Sequence, residues 1–250
     1  REVRPIDPSI TVMARPNVRL DRGKLAPVMS QIQASAFAAE NLTGRFVQVG
    51  VIDAGFFGAD SAAVLKPIAA RGGFRQMRDY VNRPGTQNNL FRTLETRSDM
   101  HGTEVLAAIG GYDPVGNLQL GLGYDATFYL ARTDAGNKEF RGEEDNWVQA
   151  IEWLDSLGVR LVNTSLGYAK GFSNPSENYQ PAQMDGHTSL ISRAAQLAAD
   201  KKGILIIVSA GNEGEDRSWR IISTPADAEG VIAVGATNSK LWNRIGYSSI

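Results

Sequence analysis

The stretch Ser98-Asp99-Met100-His101-Gly102-Thr103-Glu104-Val105-Leu106-Ala107-Ala108-Ile109-Gly110-Gly111 joins a histidine to a compact apolar run with helical character. His101 is one of only two histidines in the chain. We expect it to lie in the first turn of the helix, where one edge of its ring can face a cleft. Imidazole transfers protons near neutral pH, so His101 is a candidate general base. Taken alone, a His-Gly-Thr sequence is more often a surface or capping histidine.

Short apolar runs on both sides of this helix predict parallel strands that end in polar or glycine-rich turns. The first covers Arg45–Asp53 and ends in a carboxylate. Later runs alternate with two amphipathic segments, the runs lying at 127–131, 159–165, 203–210 and 231–236 and the segments at 143–157 and 188–201. This alternation predicts an α/β fold of three layers, with helices on both faces of a parallel sheet. In such folds the carboxyl ends of the strands carry the functional site.

Several candidate residues gather at this predicted edge of the sheet. An aspartate that orients a histidine forms two-thirds of a hydrolytic triad, and Asp53 is placed to serve His101 in that way. Asn212, on a glycine-rich turn, can direct its amide at a developing oxyanion. The strand end at 165–167 can pair with an extended peptide. Each has an ordinary alternative: a capping or turn aspartate, a turn asparagine and a plain strand end.

Together these motifs resemble those of the subtilisin-like serine proteases, the subtilases. Four segments match the aspartate, histidine, substrate-strand and oxyanion motifs in family order: Val51-Ile52-Asp53-Ala54-Gly55, His101-Gly102-Thr103, Ser165-Leu166-Gly167 and Ser209-Ala210-Gly211-Asn212-Glu213-Gly214. The resemblance implies a subtilisin-like peptidase domain over residues 45–250, incomplete at its carboxyl end. Residues 1–44 are expected to form an amino-terminal arm with one helix over 28–40.

The resemblance also implies a role for each candidate residue. Asp53 would hold His101 in the right tautomer, His101 would act as general base and then general acid, and Asn212 would donate to the tetrahedral oxyanion. Five residues would bind the polypeptide substrate, two through their backbone and three by shaping the specificity pocket: Ser165 and Gly167, then Leu166, Ala210 and Gly211.

One departure from the family pattern is large. The family carries its nucleophile in a Gly-Thr-Ser motif, which this chain lacks, and Ser248 and Ser249 are poor substitutes. We therefore expect the serine to lie outside the chain, on a missing carboxyl-terminal segment that would complete the site, and the chain alone to be inactive. The predicted function is a serine endopeptidase that acts through an Asp-His-Ser triad and an acyl-enzyme. The alternative is a non-catalytic peptide-binding module of the same fold.

Two smaller departures lie beside the expected substrate strand. Tyr168 stands where many relatives have a small residue, and a ring there would narrow the pocket. The insert over 169–184 is expected to be a surface loop, the alternative being that Asn178, Tyr179 and Asp185 line the cleft or hold a cation.

The composition excludes several classes of function. Lys and Arg number 26 against 27 Asp and Glu, a net charge of −1 that argues against binding to nucleic acid or to an anionic membrane. The chain has no cysteine, hence no disulfide and no thiolate metal site. No apolar run is long enough to predict a membrane span. The resemblance implies a protein that needs no cofactor. It allows calcium binding, for which the sequence assigns no ligands. It also implies a secreted, periplasmic or cell-surface bacterial protein.

Overall fold

The computed structural model describes residues 22–82 and 89–250. The strands are β1 Gln48–Asp53, β2 Phe74–Asp79, β3 Tyr112–Asp113, β4 Leu118–Gln119, β5 Thr127–Arg132, β6 Leu161–Thr164, β7 Leu205–Ser209 and β8 Ile232–Val234. Six of them form one sheet in the order β2-β5-β1-β6-β7-β8, and every neighbouring pair in it is parallel. The remaining pair, β3 and β4, forms a short antiparallel hairpin.

The helices are α1 Arg22–Gln31, α2 Ala34–Ala39, α3 Lys66–Ala70, α4 His101–Gly110, α5 Gly142–Ser156 and α6 Leu190–Lys202. Helices α3 and α4 pack on one face of the large sheet and α5 and α6 on the other, so that two buried apolar clusters flank the strands. This arrangement confirms the predicted α/β class with helices on both faces of a parallel sheet.

The side chains of β1 alternate between the two faces of the sheet, so this one strand packs into both apolar clusters. Val49 and Val51 face the α3 and α4 side, and Ile52 faces the α5 and α6 side. Gly50 lies under α5, where an added Cβ would come within 2.6 Å of Leu154 Cδ1. The missing side chain therefore lets α5 pack close to the strand that carries Asp53 at its end.

The structure corrects one prediction about local structure and adds a strand that was not predicted. The helix expected over 28–40 is two helices, because Gln33 between α1 and α2 has a left-handed backbone with φ 52°. Strand β2 was not predicted, since this edge strand exposes Arg75, Gln76 and Arg78 and lacks an apolar pattern. Residues 1–21 of the expected arm lie outside the described residues.

The insert over 169–184 is mostly exposed, in keeping with the expected surface loop, but two of its aromatic rings are buried against the domain. Phe172 and Tyr179 are buried, and the Tyr179 hydroxyl donates to Glu144 Oε1 on α5 at 2.7 Å. The Arg141 guanidinium lies 3.8 Å from the centre of the Tyr179 ring. These contacts fix the insert beside the strand end at 165–167.

Within residues 22–82 and 89–250, no helix is both long and apolar enough to cross a membrane.

Candidate active site

The strand register brings the sequence-predicted motifs to one edge of the sheet. Ile52 of β1 pairs with Thr164 of β6, and Thr164 pairs in turn with Val208 of β7. The residues that follow, Asp53, Ser165 and Ser209, therefore stand level on three adjacent strands, which lie about 4.8 Å apart.

Asp53 and His101 form a direct hydrogen bond. His101 Nδ1 lies 2.7 Å from Asp53 Oδ1, which also accepts the Ala54 N–H at 2.8 Å. The Asp53 side chain is fully buried, whereas 40% of the His101 side chain is exposed. Because a carboxylate can only accept, Nδ1 carries the proton, and in the neutral ring Nε2 is then the base. The pair can thus take up a proton at the exposed edge of the imidazole.

Two glycines hold the aspartate and histidine motifs together. An added Cβ on Gly102 would come within 2.5 Å of the Gly55 carbonyl oxygen, and one on Gly55 would come equally close, 2.5 Å, to Asp99 Cα. This close approach allows the Gly102 N–H to donate to Gly55 at 2.8 Å and the Phe57 N–H to donate to the Asp99 carbonyl at 2.7 Å. The glycines following Asp53 and His101 therefore position the two catalytic candidates rather than react.

The charge of Asp53 dominates the titration of His101. It raises the pKa of His101 to about 9. Burial opposes the rise, and the hydrogen bond that His101 donates to Asp53 and the charges of Glu104 and Asp134 add to it. His101 is therefore largely protonated at neutral pH in this structure. Its neutral form, which is the base, is gained as the pH approaches 9.

Asp134 is a buried carboxyl near His101 that the sequence did not single out. Its two oxygens accept the Thr133 hydroxyl at 2.6 Å and the Tyr168 hydroxyl at 2.8 Å. Burial raises the pKa of Asp134 to about 7. The Tyr168 ring is itself buried, so it packs in the interior instead of narrowing an open pocket. The Asp134–Tyr168 bond thus links the end of β5 to the residue that follows the expected substrate strand.

The strand end at 165–167 offers free backbone groups. In the part of the chain that the structure describes, Ser165, Leu166 and Gly167 make no backbone hydrogen bond, whereas the next residue, Tyr168, exchanges two with Thr224, at 2.8 and 3.2 Å. The Ser165 hydroxyl bonds to Asn163, and the Leu166 side chain packs against the apolar cluster beside α5. An extended peptide can add to such an edge.

Ser223 brings the two expected substrate-binding segments together, and it was missed because it lies in no motif. An added Cβ on Gly167 would lie 2.9 Å from the Ser223 hydroxyl oxygen, and one on Gly211 would lie 2.5 Å from it. Buried Ala210 accepts the Ser223 N–H through its carbonyl at 3.4 Å. Both glycines therefore leave room for one serine side chain between 165–167 and 210–211.

Asn212 is exposed on the turn after β7. The turn begins at Gly211, whose φ of 102° requires glycine. Ser249 anchors it, accepting the Glu213 N–H through its hydroxyl and donating its own N–H to the Gly211 carbonyl, each at 3.0 Å. Among the described residues, the Asn212 side-chain amide makes no hydrogen bond, so it is free to donate to a ligand.

In the described parts of the chain, no group of three or more His, Asp or Glu side chains is arranged to hold a metal ion. Calcium ligands therefore remain unassigned.

The chain matches a family model described as the subtilase family over residues 44–249. The chain belongs to the subtilase family. This subtilase is 28% identical over 222 residues to subtilisin DY from Bacillus licheniformis, covering 88% of this chain and 66% of that protein. It is 27% identical over 251 residues to subtilisin NAT from Bacillus subtilis subsp. natto, covering 98% of this chain and 55% of that protein. The chain thus spans about half to two-thirds of the length of these relatives.

Solved structures support the fold of this subtilase. MycP3 protease from the type VII (ESX-3) secretion system superposes with a TM-score of 0.60 at 20% identity, covering 88% of this chain and 60% of that one. MycP1 from Mycobacterium smegmatis gives a TM-score of 0.56 at 20% identity, covering 94% of this chain and 63% of that one. At this identity the likeness concerns the fold alone.

Proposed function

We propose that this subtilase is part of a serine endopeptidase that cleaves extended polypeptides through an acyl-enzyme. The observation that carries the proposal is the 2.7 Å hydrogen bond from His101 Nδ1 to the buried Asp53 carboxylate, with 40% of the His101 side chain exposed. Membership of the subtilase family supports the same reaction.

The proposed chemistry assigns each residue a step. His101 Nε2 takes the proton of a serine hydroxyl as the serine oxygen attacks the peptide carbonyl carbon, and Asp53 stabilises the imidazolium that forms. Asn212 donates to the oxyanion of the tetrahedral intermediate. His101 then gives its proton to the leaving amine as the carbon–nitrogen bond breaks, and water hydrolyses the acyl-enzyme by the same route in reverse.

We propose the substrate to be an extended chain that adds to the backbone of Ser165 and Gly167. Its side chain would enter a pocket shaped by Leu166, Ala210 and Gly211. The free backbone groups at 165–167 support this assignment. No cofactor is required for this chemistry, and we propose that the protein acts outside the cytoplasm on secreted or surface polypeptides.

We further propose that the nucleophilic serine is supplied by sequence outside residues 1–250, with residues 45–250 forming most of the peptidase domain and residues 1–44 an arm before it. The serines at the end of the chain support this, because both are engaged elsewhere. The Ser248 hydroxyl accepts the Ala236 N–H at 3.0 Å, and the Ser249 hydroxyl accepts the Glu213 N–H at 3.0 Å.

A fluorophosphonate, which reacts with activated serines, tests both parts of the proposal. Intact mass and peptide mapping are measured for residues 1–250 and for the complete protein encoded by the gene. We expect one label on the complete protein, at a serine outside residues 1–250, and none on His101→Ala or on the shorter chain.

Each other result is equally informative. A label on Ser248 or Ser249 would refute the external serine and keep the protease. No label on the complete protein would refute the protease and favour the peptide-binding module.

A further inference from the structure

Arg132 is a fully enclosed cation at the edge of the sheet where the site lies. It is the last residue of β5 and pairs in register with Asp53 of β1. Only 1% of its side chain is exposed. Burying a guanidinium costs free energy unless charged and polar groups surround it. The partners of Arg132 therefore indicate what the residue does at this position.

Three segments that meet at the site supply those partners. Arg132 Nε donates to the Ala54 carbonyl at 3.0 Å, one residue after Asp53. Nη2 lies 2.8 Å from Asp99 Oδ1, two residues before His101, and Nη1 lies 3.5 Å from Asp79 Oδ2 at the end of β2. The planar guanidinium spans all three directions at once, which an ammonium group cannot do.

Asp99 connects Arg132 to the turn that precedes His101. Its Oδ2 accepts the N–H groups of Glu95 and Thr96 at 2.7 and 2.8 Å, which closes the turn that leads into α4. Its carbonyl accepts the Phe57 N–H at 2.7 Å, from the loop after Asp53. Through the Asp99 side chain, Arg132 is therefore linked to the turn that leads into His101.

We infer that Arg132 is a positioning residue, which sets the distance between the Asp53 carboxylate and the His101 imidazole by tying the loop after Asp53 to the turn before His101. The effect of Arg132 on catalysis rests on the proposed function, because His101 transfers a proton only in the proposed peptidase reaction. The positioning itself concerns geometry within the chain and can be measured without turnover.

The Asp53–His101 separation can be followed through the titration of His101, because the charge of Asp53 is the main cause of its raised pKa. The protein is labelled with carbon-13 histidine and titrated by NMR, with resonances assigned from His101→Gln and His187→Gln. In Arg132→Lys the positive charge stays but the fork of contacts is lost. We expect the pKa of His101 to fall from about 9 by about one unit, since an opposite charge within a few ångströms shifts a pKa by about 1–3 units.

Controls separate positioning from loss of fold. Arg160→Lys alters a half-exposed arginine paired with Asp155 at 3.0 Å, away from the site, and should leave the His101 titration unchanged. The resonances of exposed His187 serve as an internal reference, and circular dichroism reports the fold. A folded Arg132→Lys protein in which His101 titrates as in the parent would overturn the inference.

A paired variant covers the case in which Arg132→Lys does not fold. Arg132→Gln with Asp99→Asn removes one charge of each sign, so the net local charge is kept, and buried Asp79 still accepts the N–H groups of Val81 and Asn82 at 2.9 and 3.1 Å. A fall in the pKa of His101 is again expected, and an unchanged value refutes the positioning role. If the pKa falls while the fluorophosphonate labels nothing, the inference holds and the proposed protease fails by itself.

Discussion

The two halves of the candidate site are built in different ways. The proton-handling half, Asp53 and His101, is bonded at 2.7 Å, enclosed on the Asp53 side and fixed by the close contact of Gly55 with Asp99. The proposed substrate half, with Ser165–Gly167 and Asn212, presents free backbone groups and an exposed amide on loops. The geometry of the first half depends on interior packing and charge. The geometry of the second half depends on turns, and hydrogen bonds to Ser249 hold the turn that carries Asn212. Substitutions should therefore act differently on the two.

The largest effect is expected from Asp53→Asn in the complete protein. The amide cannot hold the Nδ1–H tautomer or stabilise the imidazolium, so turnover should fall by about 10⁴-fold. The pKa of His101 should also fall toward its ordinary value, because the main cause of its rise is gone. Initial rates on a peptide substrate and NMR titration measure these two changes.

Asp60→Asn is the matched control for this change, since Asp60 pairs with exposed Arg92 at 2.7 Å on the surface. Its turnover should match the parent. Turnover of Asp53→Asn within tenfold of the parent would remove Asp53 from the mechanism.

Asn212→Ala in the complete protein tests the open half. Loss of one oxyanion donor costs about 10²–10³ in kcat, with little change in KM because the donor acts on the transition state. The thermal midpoint should not change, since Asn212 is exposed and its amide has no partner among the described residues. Steady-state kinetics with a melting curve check both statements.

Asn243→Ala, at another exposed asparagine, is the control. If the thermal midpoint of Asn212→Ala fell far enough for unfolding to account for its lower kcat, Asn212 would be a structural residue instead of an oxyanion donor.

The sequence predicted the parts of the site that sit in short motifs. Asp53 at a strand end and His101 at a helix start are local signals, and the sheet then brings them together. Strand β2 escaped because an edge strand needs no apolar alternation. The sequence did not single out Arg132 or Ser223, because their roles depend on contacts between distant segments, such as the 2.8 Å distance from Arg132 to Asp99. Composition and periodicity contain no signal for such contacts.

Asp134 bonds to Tyr168 beside the open half, and its substitution should have the smallest effect on activity and appear mainly as a pH dependence of stability. Its pKa is about 7 in the folded protein against an ordinary 3.8, because of burial. Between these values the folded state keeps a proton that the unfolded state has lost, so this carboxyl makes stability fall as the pH rises through that window. Asp134→Asn cannot ionise, and its oxygen can still accept the Tyr168 hydroxyl.

The free energy of unfolding of Asp134→Asn, relative to the parent, should therefore increase from about pH 4 to about pH 7 and stay level above. Urea unfolding at a series of pH values measures it. Tyr168→Phe is the companion variant, which leaves the carboxyl but removes its bond to the residue after the substrate strand. If the bond couples the halves, Tyr168→Phe should raise KM in the complete protein, whereas Asp134→Asn should leave KM unchanged. A constant stability difference across the window would mean that Asp134 is not a buried titrating acid, and an unchanged KM in Tyr168→Phe would mean that the two halves act independently.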